Sequence, residues 1–264
     1  MKIYEFHQFV TIEKGPVNAA IVDLMQGDIY LAPKEYVEKF EKRQYNEIPD
    51  FLEYFKKEKS LIQVEEGTWI PRVGFEKKPE KGKRSIYLEI EEGVDVEWIA
   101  RVFSSLSDLS VWQIHFFGRH IPEGFPAGIK ITKREKDFSR CIKYCQVTRD
   151  FGKIDEGFYH LNVKLNSCWG TKLAITKDNM VRPCIYSEIE LGNLKNEDIL
   201  EILKKAYEYQ TITKDRVEKC KDCELRYTCF DCREIARREN GSLFSPNPYC
   251  NYDPYKGTWN GQPG

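Results

Sequence analysis

The 264-residue sequence lacks a long apolar run, and nowhere does one approach the ~20 residues that a membrane helix needs. Its first residues, MKIYEF, include an early acidic residue and no apolar segment of the kind found in secretory signals. Positive and negative side chains nearly cancel, and a formal net charge of −1 leaves no overall field to attract nucleic acid. We therefore expect a soluble, cytoplasmic protein that binds neither membrane nor nucleic acid.

A phosphate-binding motif is also missing, since no GxxxxGK[ST] or comparable glycine-rich loop occurs. Any ATP chemistry connected with this chain would therefore belong to a partner. Hydrophobic residues make up 41% of the sequence and aromatic residues 13%, which is enough apolar mass for a packed core and excludes a disordered chain.

Apolar periodicity predicts an α+β protein in four parts. Short strands followed by helices that open at Pro33 and Pro49 resemble a winged-helix module, a possible docking site for a peptide or partner. The predicted parts are this module at residues 1–71, a linker at 72–84, a truncated, partly barrel-like β/α segment at 85–160, and a cysteine-rich domain at 161–264.

Individual elements can be predicted within the last two parts. The segment from residue 85 reads as strand, helix and strand, which indicates a βαβ unit with a parallel pair. Further predictions are a helix over 133–145, a strand over 161–165, a hairpin of strands 172–175 and 180–182, and a helix capped by Asn196. The hairpin turn contains Asn179, a residue that tolerates a positive φ.

Nine cysteines are the most informative feature, because a reducing cytosol disfavours structural disulfides and clustered thiols there more often bind metal. Seven of them form a pattern: one on each side of the hairpin, two CxxC units five residues apart, and one beyond a proline-containing loop. They are Cys168, Cys184, Cys220, Cys223, Cys229, Cys232 and Cys250. We expect the other two, Cys141 and Cys145, to be buried apolar thiols.

Two kinds of metal centre suit this pattern. The two CxxC units alone would satisfy one tetrahedral zinc ion, which leaves three cysteines unexplained. Iron–sulfur clusters are also held by thiolates and commonly recruit a distant cysteine, so they account for all seven.

The same seven cysteines resemble the SPASM domain, the C-terminal extension of radical SAM peptide maturases. The resemblance implies two auxiliary 4Fe–4S clusters. It assigns Cys168, Cys184 and Cys232 to the first, and Cys220, Cys223, Cys229 and Cys250 to the second. The first set then lacks a fourth cysteine just upstream of Cys168. Either His160 or Cys145 fills that place, or the coordination position is open.

The sequence departs from radical SAM enzymes because it contains no CxxxCxxC motif, so we expect no radical chemistry and no independent catalysis. A narrower resemblance is to the SPASM-type maturation proteins that accompany an ATP-grasp ligase, known as grasp-with-spasm. It rests on the opening that runs from Phe9 through Lys14-Gly15 to Leu24, the WQIHFF strand at 112–117, the segment at 220–233 and the tail from Cys250. This resemblance implies a partner ligase and a ribosomally made precursor peptide. The alternatives are a redox or electron-transfer iron–sulfur protein and a zinc-stabilised interaction protein.

Overall fold

The computed structural model describes residues 2–71, 84–107, 109–121, 128–145 and 152–260. The predicted linker at 72–84 lies outside these residues except for its last position, Arg84, which begins a strand. Helices and strands are mixed throughout the described ranges, and this confirms the predicted α+β class. No helix in these ranges has both the length and the apolar character to cross a bilayer.

The N-terminal part combines two small antiparallel sheets with two helices. Strands β2, β3 and β4 form a three-stranded sheet in that order, and β1 pairs with β5. Pro49 opens the second helix, as its fixed φ predicts, and the first helix begins directly after Pro33. The elements are β1 (Lys2–Phe6), β2 (Val10–Lys14), β3 (Asn18–Asp23), β4 (Asp28–Pro33), α1 (Lys34–Glu41), α2 (Pro49–Lys57) and β5 (Leu61–Glu65).

The central part is a six-stranded sheet in the order β11-β10-β9-β6-β7-β8. Strands β9, β6, β7 and β8 run parallel, and helix α3 connects β6 to β7, so the predicted βαβ unit is present. The elements are β6 (Arg84–Glu91), α3 (Val96–Ser104), β7 (Leu109–Phe117), β8 (Lys130–Arg134), α4 (Phe138–Tyr144), α5 (Glu156–Lys164), β9 (Lys172–Ile175), β10 (Met180–Arg182) and β11 (Gly192–Asn193). One face of this sheet and helices α3 and α6 enclose the largest apolar core.

The C-terminal part has little regular structure. Helix α6 packs on the central sheet, and short 3-10 turns occupy Lys214–Arg216 and Cys220–Asp222. The remaining elements are α6 (Ile199–Gln210), α7 (Arg233–Asn240), β12 (Tyr252–Asp253) and β13 (Thr258–Trp259).

Three local predictions were wrong, and in each case an aspartate caps the helix concerned. Residues 161–164 belong to α5, and Leu165 caps its end, so no strand forms there; the Asp155 side chain starts this helix by accepting a hydrogen bond from the Phe158 amide. Asp198, not Asn196, caps α6. The helix predicted over 133–145 begins only after Asp137, because residues 130–134 pair with β7 as a strand.

The three-stranded N-terminal sheet packs against the cysteine-rich part of the chain. Ala20, Val22 and Leu24 share a buried cluster with Tyr159 and Tyr252, and Cys223 and Cys250 pack at its margin. Polar contacts reinforce this packing. Glu13 of β2 pairs with Arg226 and accepts a hydrogen bond from the Tyr159 hydroxyl, while the Asn18 amide donates to Tyr252 and to the Gly257 carbonyl.

Candidate metal centre

A first group of thiols lies in one buried cluster around Trp169. Its members are Cys145, Cys168, Cys184 and Cys232, and all four are buried. The Cys232 thiol is hydrogen-bonded to the thiols of Cys145 and Cys168, and it interacts electrostatically with Cys184. The structure therefore brings together the three cysteines assigned to the first set by resemblance and adds Cys145.

The β9–β10 hairpin and the turn before it position two of these thiols. Asn166 Oδ1 accepts hydrogen bonds from the amides of Cys168, at 2.9 Å, and Trp169, at 2.8 Å. The hairpin then reverses at Asn179, whose φ is 63°, as its residue type predicts, and returns the chain to Cys184. Both thiols consequently face the same buried region.

Cys145 reaches the first group because helix α4 is fastened to the cysteine-rich part at three points. The Tyr186 hydroxyl accepts from the Asp137 amide at 2.9 Å, the Phe138 ring lies under the Arg238 guanidinium, and the Asn247 amide donates to the Cys145 carbonyl at 2.7 Å. Asn247 also accepts from the amide of Cys250. One buried asparagine thus connects the position of Cys145 to the last cysteine of the chain.

Two other side chains, Cys141 and His160, lie near the first group but are not members of it. Cys141 is half-buried on α4, and burial together with the Cys168 thiol raises its pKa to about 11. His160 lies on α5, where its Nε2 is 3.5 Å from Glu156 and its ring packs beside Tyr159. Of the two candidates for the missing ligand, Cys145 is therefore the one that contacts the other thiols.

A second group contains four other thiols, Cys220, Cys223, Cys229 and Cys250. Each interacts electrostatically with at least two others of the group. The first CxxC unit turns tightly: Lys219 takes a φ of 63°, and the Cys223 amide donates to the Cys220 carbonyl at 3.0 Å. The Cys229 amide donates to the Leu225 carbonyl, which folds the second unit back toward the first.

Several thiols of the two groups have raised pKa values, and for four of them the chief cause is removal from water. Burial raises the pKa of Cys184 and of Cys220 to about 12 and also raises the pKa of Cys223 and Cys229. For Cys168, the hydrogen bond to Cys232 and then burial hold the pKa well above its usual range. These thiols are neutral at physiological pH unless a bound cationic group converts them to thiolates, as metals do.

Three buried cations stand beside the two groups, and the sequence patterns did not reveal them. Lys172 interacts with the thiols of Cys168 and Cys184, Lys214 with those of Cys229 and Cys220, and Arg233 with Cys220 and Cys232. A buried cation is costly unless negative charge lies close by. Thiolate ligands of a metal centre would supply that charge, so the cations fit the donor sets.

A polar bridge joins two chain segments of the first group. Asp231, directly before Cys232, forms an ion pair with Arg233 and accepts from the Asn166 amide at 3.1 Å. Its own amide donates to Ser167 Oγ at 2.7 Å. Because Asn166 also holds the backbone of Cys168, this bridge fixes the two chain segments that carry first-group thiols relative to each other.

The donor chemistry fits iron–sulfur clusters, since each group presents four thiols and a cluster of this class is held by four thiolates. Within the described ranges, no three His, Cys, Asp or Glu side chains lie close enough to hold one metal ion. Bound clusters would supply one-electron chemistry.

Comparison with known proteins identifies a family match for part of the cysteine-rich segment. Residues 168–224 match the family model of SPASM, described as an iron–sulfur cluster-binding domain. The match begins at the first hairpin cysteine and ends just after the first CxxC unit, and it implies that this part of the chain binds an iron–sulfur cluster. The last three cysteines, Cys229, Cys232 and Cys250, lie beyond the matched range.

Two curated proteins are similar to part of the chain. An AdoMet-dependent heme synthase of Nitratidesulfovibrio vulgaris is 30% identical over 86 residues, which cover 32% of this chain and 23% of that protein. An AdoMet-dependent heme synthase of Oleidesulfovibrio alaskensis is 33% identical over 84 residues, covering 31% and 22%. The similarity spans less than a quarter of either relative, so it shows a distant relationship over that part of the chain alone.

Proposed function

We propose that this chain carries two 4Fe–4S clusters and acts as an accessory protein for an ATP-grasp ligase that matures a ribosomally made peptide. The observation that carries the cluster assignment is the presence of two separate groups of four thiols, one buried and one partly buried, each beside buried cations. Cys145, Cys168, Cys184 and Cys232 would hold the first cluster, and Cys220, Cys223, Cys229 and Cys250 the second.

An accessory role is favoured over independent catalysis because this sequence contains neither the CxxxCxxC of radical SAM enzymes nor a phosphate loop. The N-terminal part offers a surface suited to a peptide. Strand β4 is an edge of its sheet, and an apolar groove of about 550 Å³ lies beside it, between β4 and helices α1 and α2. Edge strands bind extended peptides by main-chain pairing, and neighbouring apolar pockets select side chains.

An iron–sulfur protein that only transfers electrons is the second candidate. The buried cations at both thiol groups favour it, because charge close to a cluster influences its reduction potential. The two functions differ in their need for a ligase: an electron carrier would exchange electrons with a redox partner regardless of any peptide substrate.

The accessory role can be tested with an ATP-grasp ligase and precursor peptide encoded beside this gene. The ligase is assayed for peptide cross-linking by mass spectrometry, alone and with the anaerobically reconstituted chain. We expect cross-linking to rise at least about tenfold with the chain present, a change that corresponds to ~1.4 kcal/mol. An unchanged rate, or the absence of such a ligase from the gene's neighbourhood, would rule out the accessory role while leaving the cluster assignment intact.

A further inference from the structure

Each thiol group has its own buried lysine, and the two lysines have different partners. Lys172 belongs to β9 in the central sheet, whereas Lys214 lies in the 3-10 turn after α6. Both residues are more than nine-tenths buried. Neither lysine is explained by catalysis or by ligation, since an ammonium group has no lone pair to give to a metal.

Lys172 forms a buried ion pair beside the first group. Its Nζ is 3.5 Å from Oε1 of Glu89, and the other carboxylate oxygen of Glu89 accepts from the Ile185 amide at 2.7 Å. Ile185 directly follows Cys184, and the electrostatic partners of Lys172 include the thiols of Cys168 and Cys184. A pair of opposite charges thus lies against the backbone that carries one first-group thiol and close to another.

Lys214 sits beside the second group, and the carboxylate among its electrostatic partners, Asp231, is already paired with Arg233. Its Nζ donates to the Cys229 carbonyl, and it interacts with the thiols of Cys229 and Cys220. Among the residues that the structure describes, no carboxylate lies within ion-pair distance of Lys214. Arg233, in contrast, faces one thiol of each group and is already paired with Asp231, so its charge is common to both groups.

We propose that the Lys172–Glu89 pair and Lys214 separately set the reduction potentials of the first and second clusters. This inference rests on the proposed binding of two clusters. Reduction adds negative charge to a cluster, so a buried positive charge nearby stabilises the reduced form and raises the potential, and a buried carboxylate lowers it. Because each lysine interacts with thiols of one group only, a change at one should leave the potential of the other cluster unaltered.

Redox titration of the reconstituted full chain, followed by electron paramagnetic resonance, tests this inference. Glu89→Gln removes a negative charge but keeps an oxygen to accept from the Ile185 amide. We expect it to raise the first potential enough to increase the reduced-to-oxidised ratio at least about tenfold, which is ~59 mV for one electron. A Glu89→Gln/Lys172→Met double variant should return that potential toward the wild-type value.

For the second cluster, the expected shift of the reduction potential has the opposite sign. Lys214→Met should lower its potential by a similar amount and leave the first unchanged. The transition that disappears in a Cys223→Ser variant identifies the second cluster. Lys204→Met, which removes an exposed lysine paired with Glu201 on α6, is the matched control and should move neither potential.

The outcomes separate this inference from the proposed function. The inference is supported if Glu89→Gln raises the reduction potential of the first cluster alone and Lys214→Met lowers that of the second cluster alone. Clusters that are present but whose potentials do not respond, or that shift together in every variant, overturn it and leave the proposed function standing. A wild-type chain that assembles no cluster overturns the proposed function itself.

Discussion

Replacing Cys223 by serine is expected to remove the second cluster and leave the first, so that iron falls from about eight to about four atoms per chain. Cys223 is a member of the second group only, and its electrostatic thiol partners are Cys220 and Cys229. A serine hydroxyl stays protonated at neutral pH and is a poor iron ligand, so the remaining three thiols would hold a cluster weakly. Iron and acid-labile sulfide analysis measures the result.

The same variant should also be much less stable, because Cys223 packs where the N-terminal sheet meets the cysteine-rich part. Binding free energies of structural metal sites are on the order of 10 kcal/mol, and in small metal domains they contribute directly to folding. We expect limited proteolysis to release the N-terminal part faster than in the wild type. A Cys223→Ser protein that keeps about eight irons and its protease resistance would contradict the second ligand set.

Replacing Cys145 by serine is expected to remove the first cluster, again with a fall to about four irons. The reason is the position of its thiol, which is hydrogen-bonded to that of Cys232 in the buried group around Trp169. The first-cluster signals in electron paramagnetic resonance should vanish while those of the second remain.

Two neighbouring side chains provide controls for Cys145. Cys141→Ser changes a half-buried thiol one helical turn away and should leave iron content near the wild-type value. His160→Ala changes the other candidate ligand, whose imidazole lies against Glu156 rather than the thiols, and should also leave it unchanged. If His160→Ala lost four irons and Cys145→Ser lost none, the fourth ligand of the first cluster would be the histidine.

Local sequence patterns predicted those parts of the fold that depend on near neighbours. The β9–β10 hairpin follows from alternating apolar residues and from Asn179, and the βαβ unit from its apolar periods. The prediction failed at residues 161–165, where LNVKL alternates like a strand but its first four residues form the last turn of α5 and Leu165 caps it. An aspartate six residues upstream, Asp155, caps that helix and decides its structure.

The features that depend on distant segments were not accessible from the sequence. The cysteine pattern left the choice between Cys145 and His160 open, because their positions depend on how α4 docks through Asn247 and Arg238. Lys172 and Lys214 read as ordinary charged residues, since nothing near them in sequence shows that both side chains are buried beside thiols. The sequence Asp231-Cys232-Arg233 was the one local hint, because opposite charges flank a cysteine there.

The central claim, two clusters held by two thiol groups, is tested most directly by analysing the metal content of the wild-type chain after anaerobic purification and reconstitution. The account predicts about eight irons and about eight acid-labile sulfides per chain, with a broad absorption band near ~400 nm that bleaches on reduction. A colourless protein that contains one or two zinc ions and no labile sulfide would contradict it.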